Sequence, residues 1–240
     1  MLNQVSIIIP VLNAQNTIEK AVISVLNQSY PYKELIVIDG GSTDNTLALL
    51  NAYKTQIACL ISEKDKGIYE AINKGIKHAS GNWIYILGAD DQLHNENVLQ
   101  TIFCHELKNL DIVFGNVNNL GAKHALIRKT HVCKFNFQII WRNTLHQQGV
   151  FYNKKRLNIN FNTRYKILAD YDFHLKLYLQ QANAQYYNLT ISDCMADGIS
   201  KKFNKQLYLE EYKIKKENLN ILLYLLNVPW IILKYLMKKI

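Results

Sequence analysis

Two adjacent carboxylates, Asp90 and Asp91, follow the apolar run from Trp83 to Leu87. Neighbouring negative charges at the end of a buried strand repel each other unless something positive lies beside them. A bound cation resolves the conflict, and hard carboxylate oxygens suit Mg2+ or Mn2+, which bind through one or two carboxylates plus substrate phosphates. The alternative is a solvated acidic pair ahead of a helix near Asn95. Asp39 closes a second apolar run, Glu34 to Asp39, and leads into Gly40, Gly41, Ser42, Thr43 and Asp44. The glycines let the chain turn sharply and let a flat ligand approach closely. An Asp there either accepts hydrogen bonds from a base or ribose or only stabilises the turn. A third run, Ala58 to Ser62, leads into Asp65, Lys66 and Gly67, where the lysine is a phosphate contact or a solvated side chain.

The elements that must carry these residues are legible in the same stretch. Short β-branched runs (Val5 to Ile9, Glu34 to Asp39, Ala58 to Ser62, Trp83 to Leu87) alternate with helical patterns (Thr17 to Asn27, Thr43 to Tyr53, Gly67 to Ala79). Such βαβ alternation predicts an α/β fold with a mostly parallel central sheet flanked by helices. Ligands bind such sheets outside the carboxyl ends of the strands, where the acidic clusters fall. Beyond residue 110 the pattern is less regular, with a strand expected at Asp111 to Asn116 and a helix at Ala169 to Gln181. From Leu219 to Met237 the chain is largely apolar but broken by Pro229, Lys234 and two asparagines. Flanked by lysines and carrying Trp230, Tyr224 and Tyr235, it reads as an amphipathic helix for an anionic membrane surface rather than a crossing helix; packing on the domain or on a second subunit is the alternative.

The bulk properties narrow the function classes. A chain of 240 residues and 27.8 kDa allows one elaborated domain. Its formal charge is +9, but residues 201–240 hold nine Lys against three Glu, so the excess is concentrated in a tail and no nucleic-acid groove is implied. The four cysteines lie far apart, which argues against a zinc site or a disulfide framework and fits a cytoplasmic setting. The first residues run straight into a strand, so no secretion signal is expected.

In order and spacing, Ser6-Ile-Ile-Ile-Pro-Val-Leu-Asn13, Ile38-Asp-Gly-Gly-Ser-Thr-Asp-Asn-Thr46, Asp65-Lys-Gly-Ile-Tyr-Glu-Ala-Ile-Asn-Lys-Gly75 and Leu87-Gly-Ala-Asp-Asp91 resemble the family-2 glycosyltransferases of GT-A fold, particularly the branch that builds bacterial surface polysaccharides such as O-antigen and capsule. The resemblance implies a GT-A nucleotide-diphospho-sugar transferase domain over 1–205, with a nucleotide-sugar half at 1–100 and an acceptor half at 101–205, and the charge and apolar pattern leaves a basic amphipathic tail at 206–240. It implies an inverting transfer from a UDP-sugar, or another nucleotide-sugar, to a glycan or polyprenyl-diphosphate-linked acceptor, assisted by Mn2+ or Mg2+, at the inner face of the cell membrane.

Residue by residue, it places Pro10, Asn13, Asp39, Asp65, Lys66 and Asp90 at the nucleotide-sugar and Asp91 on the metal. In Leu168-Ala-Asp-Tyr-Asp-Phe-His-Leu175, Asp170 matches the base that deprotonates the acceptor, with Asp172 as the close alternative and simple helix capping as the bland one. His146 and Gln147 resemble a His-Gln pair near the acceptor or phosphate, and Ser200 and Lys201 a segment that closes over the diphosphate. Two departures stand out: Gly40 where many relatives carry a second acidic residue, and Ala169 where a Glu often precedes the base. These motivate the alternative of a non-catalytic, nucleotide-sugar-binding or membrane-associated subunit supporting another transferase. A Rossmann oxidoreductase is disfavoured because the turn after the first strand has no GxGxxG.

Overall fold

The structure, a computed structural model, describes residues 3–120, 129–195 and 205–237. Strands β1 (Val5–Val11), β2 (Lys33–Asp39), β3 (Cys59–Ser62) and β4 (Trp83–Ile86) are parallel, and α1 (Ile18–Leu26), α2 (Thr46–Ala52) and α3 (Ile68–His78) connect them. All seven residues of β1 are buried, as a strand covered on both faces requires. Pro10 is tolerated there because the pairing of β4 with β1 stops at Ile8 and Ile86. Leu87 N–H reaches Ile8 O, so position 10 faces the same side beyond the end of β4, and its missing N–H breaks no ladder bond.

The second half adds β5 (Gln92–Leu93), β6 (Ile112–Leu120), β7 (Thr130–His131), β8 (Val150–Asn153) and β9 (Ala184–Met195), with α4 (Val98–Phe103), α5 (Ala169–Leu179), α6 (Lys205–Asn218) and α7 (Ile221–Met237). One nine-stranded sheet results, in the order β3-β2-β1-β4-β8-β6-β9-β5, with β7 on β6. β8 enters antiparallel between β4 and β6, and β6 and β9 return to the parallel direction. Alternate residues of each strand feed two cores. Ile8, Ile36, Ile84 and Ile86 pack under α3 and α5 with Ile214 of α6, while Ile7, Ile9, Val37 and Tyr85 pack against residues of α1, α2 and α4.

A polar cluster lies between the two C-terminal helices, and much of the apolar surface of α7 faces outward. Lys215 of α6, fully buried, donates to Glu211 at 2.7 Å, to Asn227 Oδ1 of α7 at 2.9 Å and to the carbonyl of Trp141 at 2.9 Å. Lys234 of α7 also pairs with Glu211. The outward face of α7 presents Leu222, Leu225, Leu226, Ile232, Leu233 and Leu236, each about half exposed or more. Among the described residues no helix is long and apolar enough to cross a membrane.

Candidate active site

The loops after β1 and β2 are laced together by hydrogen bonds between the side chains of one and the backbone N–H groups of the other. Asn13, in the left-handed region at φ 50°, accepts from Thr43 N–H at 2.9 Å, and its own N–H donates to Ser42 Oγ at 2.8 Å. Ala14 N–H donates to Thr46 Oγ1 at 2.8 Å and Gln15 N–H to Asp44 at 3.2 Å. Behind this loop Asp39 is fully buried, accepting from Ser42 N–H and from the hydroxyls of Ser42 and Ser62. Its carboxylate holds the turn, and a nucleoside base would have to displace one of those serines to reach it.

Gly40 has a geometric reason. A Cβ there would lie 2.5 Å from Asp65 Oδ2, so the Asp65 carboxylate occupies the space that a side chain at position 40 would need. Asp65 also accepts from Gly67 N–H at 2.8 Å, and Gly67 takes φ 136°, a conformation that side chains rarely adopt. The exposed Lys66 lies on this loop, with its carbonyl bound to Lys166 Nζ at 3.0 Å and its N–H to Glu70.

After β4, Gly88 brings the acidic pair together: a Cβ on it would come within 2.4 Å of Asp91 Oδ2 and 3.0 Å of Asp90 Oδ1. Asp90 is exposed, whereas Asp91 is 5% exposed and accepts Met195 N–H, from the end of β9, at 3.1 Å. No group of three metal-ligating side chains occurs among the described residues. Two carboxylates crowded at one glycine nevertheless fit a cation that takes its other oxygens from a diphosphate and water.

Asp170 and Asp172, one turn-fraction apart on α5, have different surroundings. Asp172 is 2% exposed and committed to Lys176 at 2.6 Å and Asn218 of α6 at 2.9 Å. Asp170 is partly open and weakly held, accepting from Tyr69 Oη at 3.3 Å and from Asn143 Nδ2 at 3.2 Å. Burial pushes its pKa up to about 6, against the lowering effect of those bonds and of the Tyr171 N–H. A carboxylate in that range is free above pH 6 and basic enough to receive a proton.

Gln147 is buried and donates to Tyr152 Oη at 3.3 Å, while its Oε1 has no hydrogen-bond partner among the described residues. His146 stands beside it, its ring 6.0 Å from that of His131. Ser200 and Lys201 lie outside the described residues. Sequence reasoning passed over Tyr69, Asn143, Tyr152, His174 and Glu210. The last, on α6, accepts the N–H groups of Lys166, Ile167 and Leu168 at 2.9, 2.9 and 3.0 Å and so caps the turn that presents Asp170. Only the Tyr69 position, inside the Asp65-to-Gly75 motif, carried a signal, because an aromatic at a helix start beside a ligand loop invites inspection.

A mostly parallel sheet with acidic loops at the carboxyl ends of β2, β3 and β4 places a ligand site at that edge of the sheet, and the solved structures this chain resembles have the same α/β architecture, of GT-A type. Residues 6–187 match the family described as Glycosyl transferase family 2, and the chain belongs to that family and is a glycosyltransferase. It is 30% identical over 193 residues to a PGL/p-HBAD biosynthesis glycosyltransferase of Mycobacterium bovis, covering 76% of this chain and 72% of the relative. Over 120 residues it is 39% identical to the UDP-Glc:alpha-D-GlcNAc-diphosphoundecaprenol beta-1,3-glucosyltransferase WfgD of Escherichia coli, covering 48% of this chain and 47% of the relative. The S. aureus TarS 1-349 structure in complex with UDP-GlcNAc superposes with a TM-score of 0.71 at 20% identity, covering 88% of this chain. This chain spans 65% of that structure, and the likeness bears on fold alone.

Proposed function

We propose that the chain is an inverting glycosyltransferase that moves a sugar from a UDP-linked donor to a hydroxyl of a glycan or polyprenyl-diphosphate-linked acceptor, in bacterial surface-polysaccharide synthesis of the O-antigen kind. The observation that carries this reading is Asp170: a partly open carboxylate at the head of α5, raised to about pH 6, joined through Tyr69 to the helix that follows the Asp65 loop. A carboxylate so placed removes the proton of an attacking hydroxyl, and a single displacement inverts the anomeric centre. Asp172, bound to Lys176 and Asn218, is left to hold α5 on α6.

On the donor side, the nucleoside lies along the turn from Asp39 to Gly41, with Pro10 and Asn13 shaping one wall and Asp65 and Lys66 the other. Asp91, with Asp90 beside it, would hold Mn2+ or Mg2+, which when bound offsets charge on the leaving diphosphate. Asp90 faces the ribose side of that site. His146 and Gln147 supply polar contacts toward the acceptor. Support for the donor class comes from a relative, WfgD, which is named for UDP-Glc and a diphosphoundecaprenol acceptor; TarS, alike in fold, is in complex with UDP-GlcNAc. A mannosyltransferase neighbour from Pyrobaculum calidifontis, with a TM-score of 0.61, is in complex with GDP-Man and Mn2+.

The outward apolar face of α7 with the exposed Lys205, Lys213 and Lys216 of α6 supports a peripheral position on the cytoplasmic face of the membrane, where a lipid-linked acceptor is presented. The test is release of nucleoside diphosphate from a panel of nucleotide-sugars with lipid-linked acceptors, with and without Mn2+. Turnover of a UDP-sugar only with metal, lost in Asp91→Ala and Asp170→Asn, is the expected result. Donor binding without turnover across a broad acceptor panel favours a supporting, non-catalytic subunit.

A further inference from the structure

We propose that Gln147, Tyr152, His174 and Asn143 form a one-directional chain of hydrogen-bond donors that ends on the Asp170 carboxylate, making Asn143 and His174 positioning residues for the base. The proposal rests on the reading of Asp170 given above. Its links are Gln147 Nε2 to Tyr152 Oη at 3.3 Å, Tyr152 Oη to His174 Nε2 at 2.6 Å, His174 Nδ1 to Asn143 Oδ1 at 3.5 Å and Asn143 Nδ2 to Asp170 Oδ2 at 3.2 Å. The chain joins the 3-10 turn Gln147–Gly149, strand β8 and helix α5, with Tyr152 and His174 fully buried.

Its direction follows from valence, starting at the carboxylate. An ionised Asp170 only accepts, so Asn143 must turn its Nδ2 toward it and its Oδ1 toward His174. Nδ1 of His174 must then carry a proton. Burial keeps this imidazole neutral, lowering its pKa to about 3, so Nε2 is bare and must accept. Tyr152 therefore donates at 2.6 Å, and its oxygen is left to accept from Gln147. Each tautomer and amide orientation is fixed by the next, and no member of the chain carries a charge.

The other neighbour of Asp170 does not replace this support. Tyr69 has one hydroxyl proton, and Ile167 O at 2.9 Å is a nearer acceptor than Asp170 Oδ1 at 3.3 Å. Asn143 is thus the side-chain donor committed to this carboxylate, through Oδ2. The titratable groups facing Asp170 are Tyr69 from α3, Tyr152 from β8 and, through Tyr69, Glu210 from α6, with His174 and His146 behind Asn143 and Tyr152.

The test reads the Asp170 carboxyl directly by 13C NMR of aspartate-labelled protein, with the resonance assigned by Asp170→Asn, so that no substrate is needed. Removing a donor from the charged form raises a carboxyl pKa, so Asn143→Ala should move it up by about one pH unit. Tyr152→Phe, which keeps the ring and deletes the hydroxyl that links Gln147 to His174, should move it in the same direction by about half as much. The acidic limb of the turnover profile should follow both. A shift in Asn143→Ala but none in folded Tyr152→Phe overturns the chain, as does no shift in either. Turnover retained by Asp170→Asn overturns the base reading instead, whatever the NMR shows.

Discussion

At the scale of the residue, Asp170 trades stability for basicity. Its folded pKa, about 6, lies above the ordinary carboxyl value of 3.8, so the native state binds the extra proton and stability falls as pH rises from about 4 to about 6. Asp170→Asn should therefore be more stable than the native protein at pH 8, by about 1–3 kcal/mol, with the gain vanishing near pH 3; urea melts at the two pH values check this. The same variant should lose about a hundredfold or more in turnover, and native turnover should decline as pH falls through 6. Gly40→Ala makes the complementary point on the donor side. Its new methyl would fall on the Asp65 carboxylate, so donor KM should rise several-fold while the melting temperature changes little, since the atom displaced is the end of a side chain.

At the scale of the element, the helix that presents Asp170, the proposed base, depends on another helix far along the chain. Glu210 collects three N–H groups at the head of α5, and Asn218 holds Asp172. The head of α5 has no cap of its own, because Leu168 precedes it. Glu210→Gln keeps one acceptor oxygen but loses the charge, and Glu210→Ala leaves three donors without their acceptor. We expect losses of about 1 and about 3 kcal/mol respectively in denaturant unfolding. Both should slow turnover more than they raise donor KM, since the donor loops lie at the ends of other strands.

At the scale of the whole molecule, α7 inverts the ordinary order of a surface helix. Lys234 and Asn227 face inward to Glu211 and Lys215, and leucines face out. Exposed apolar area of this extent on a chain with excess lysines suits a lipid surface of negative charge. Leu225→Glu combined with Leu233→Glu should abolish co-sedimentation with anionic vesicles while leaving the fold intact, and binding of the native protein should weaken with salt. A second copy of the chain covering this face would instead show as concentration-dependent size without lipid.

The first half of the molecule was legible from sequence because its information is local. Each of β1 to β4 centres on a short apolar run, each crossover helix has its own period, and the loops begin where the runs stop, so Asp39, Asp65, Asp90 and Asp91 could be placed before any coordinates. The second half was not, because there a residue's role is set by partners brought in from afar. β8 is four residues long and joins β4 to β6, α6 reads by charge as part of a basic tail, and Asp170 and Asp172 are two residues apart in the same motif. Only the tertiary structure gave one of that pair to Lys176 and Asn218 and left the other to Asn143 and a raised pKa, because burial and hydrogen bonding are properties of the folded surroundings and not of the residue type.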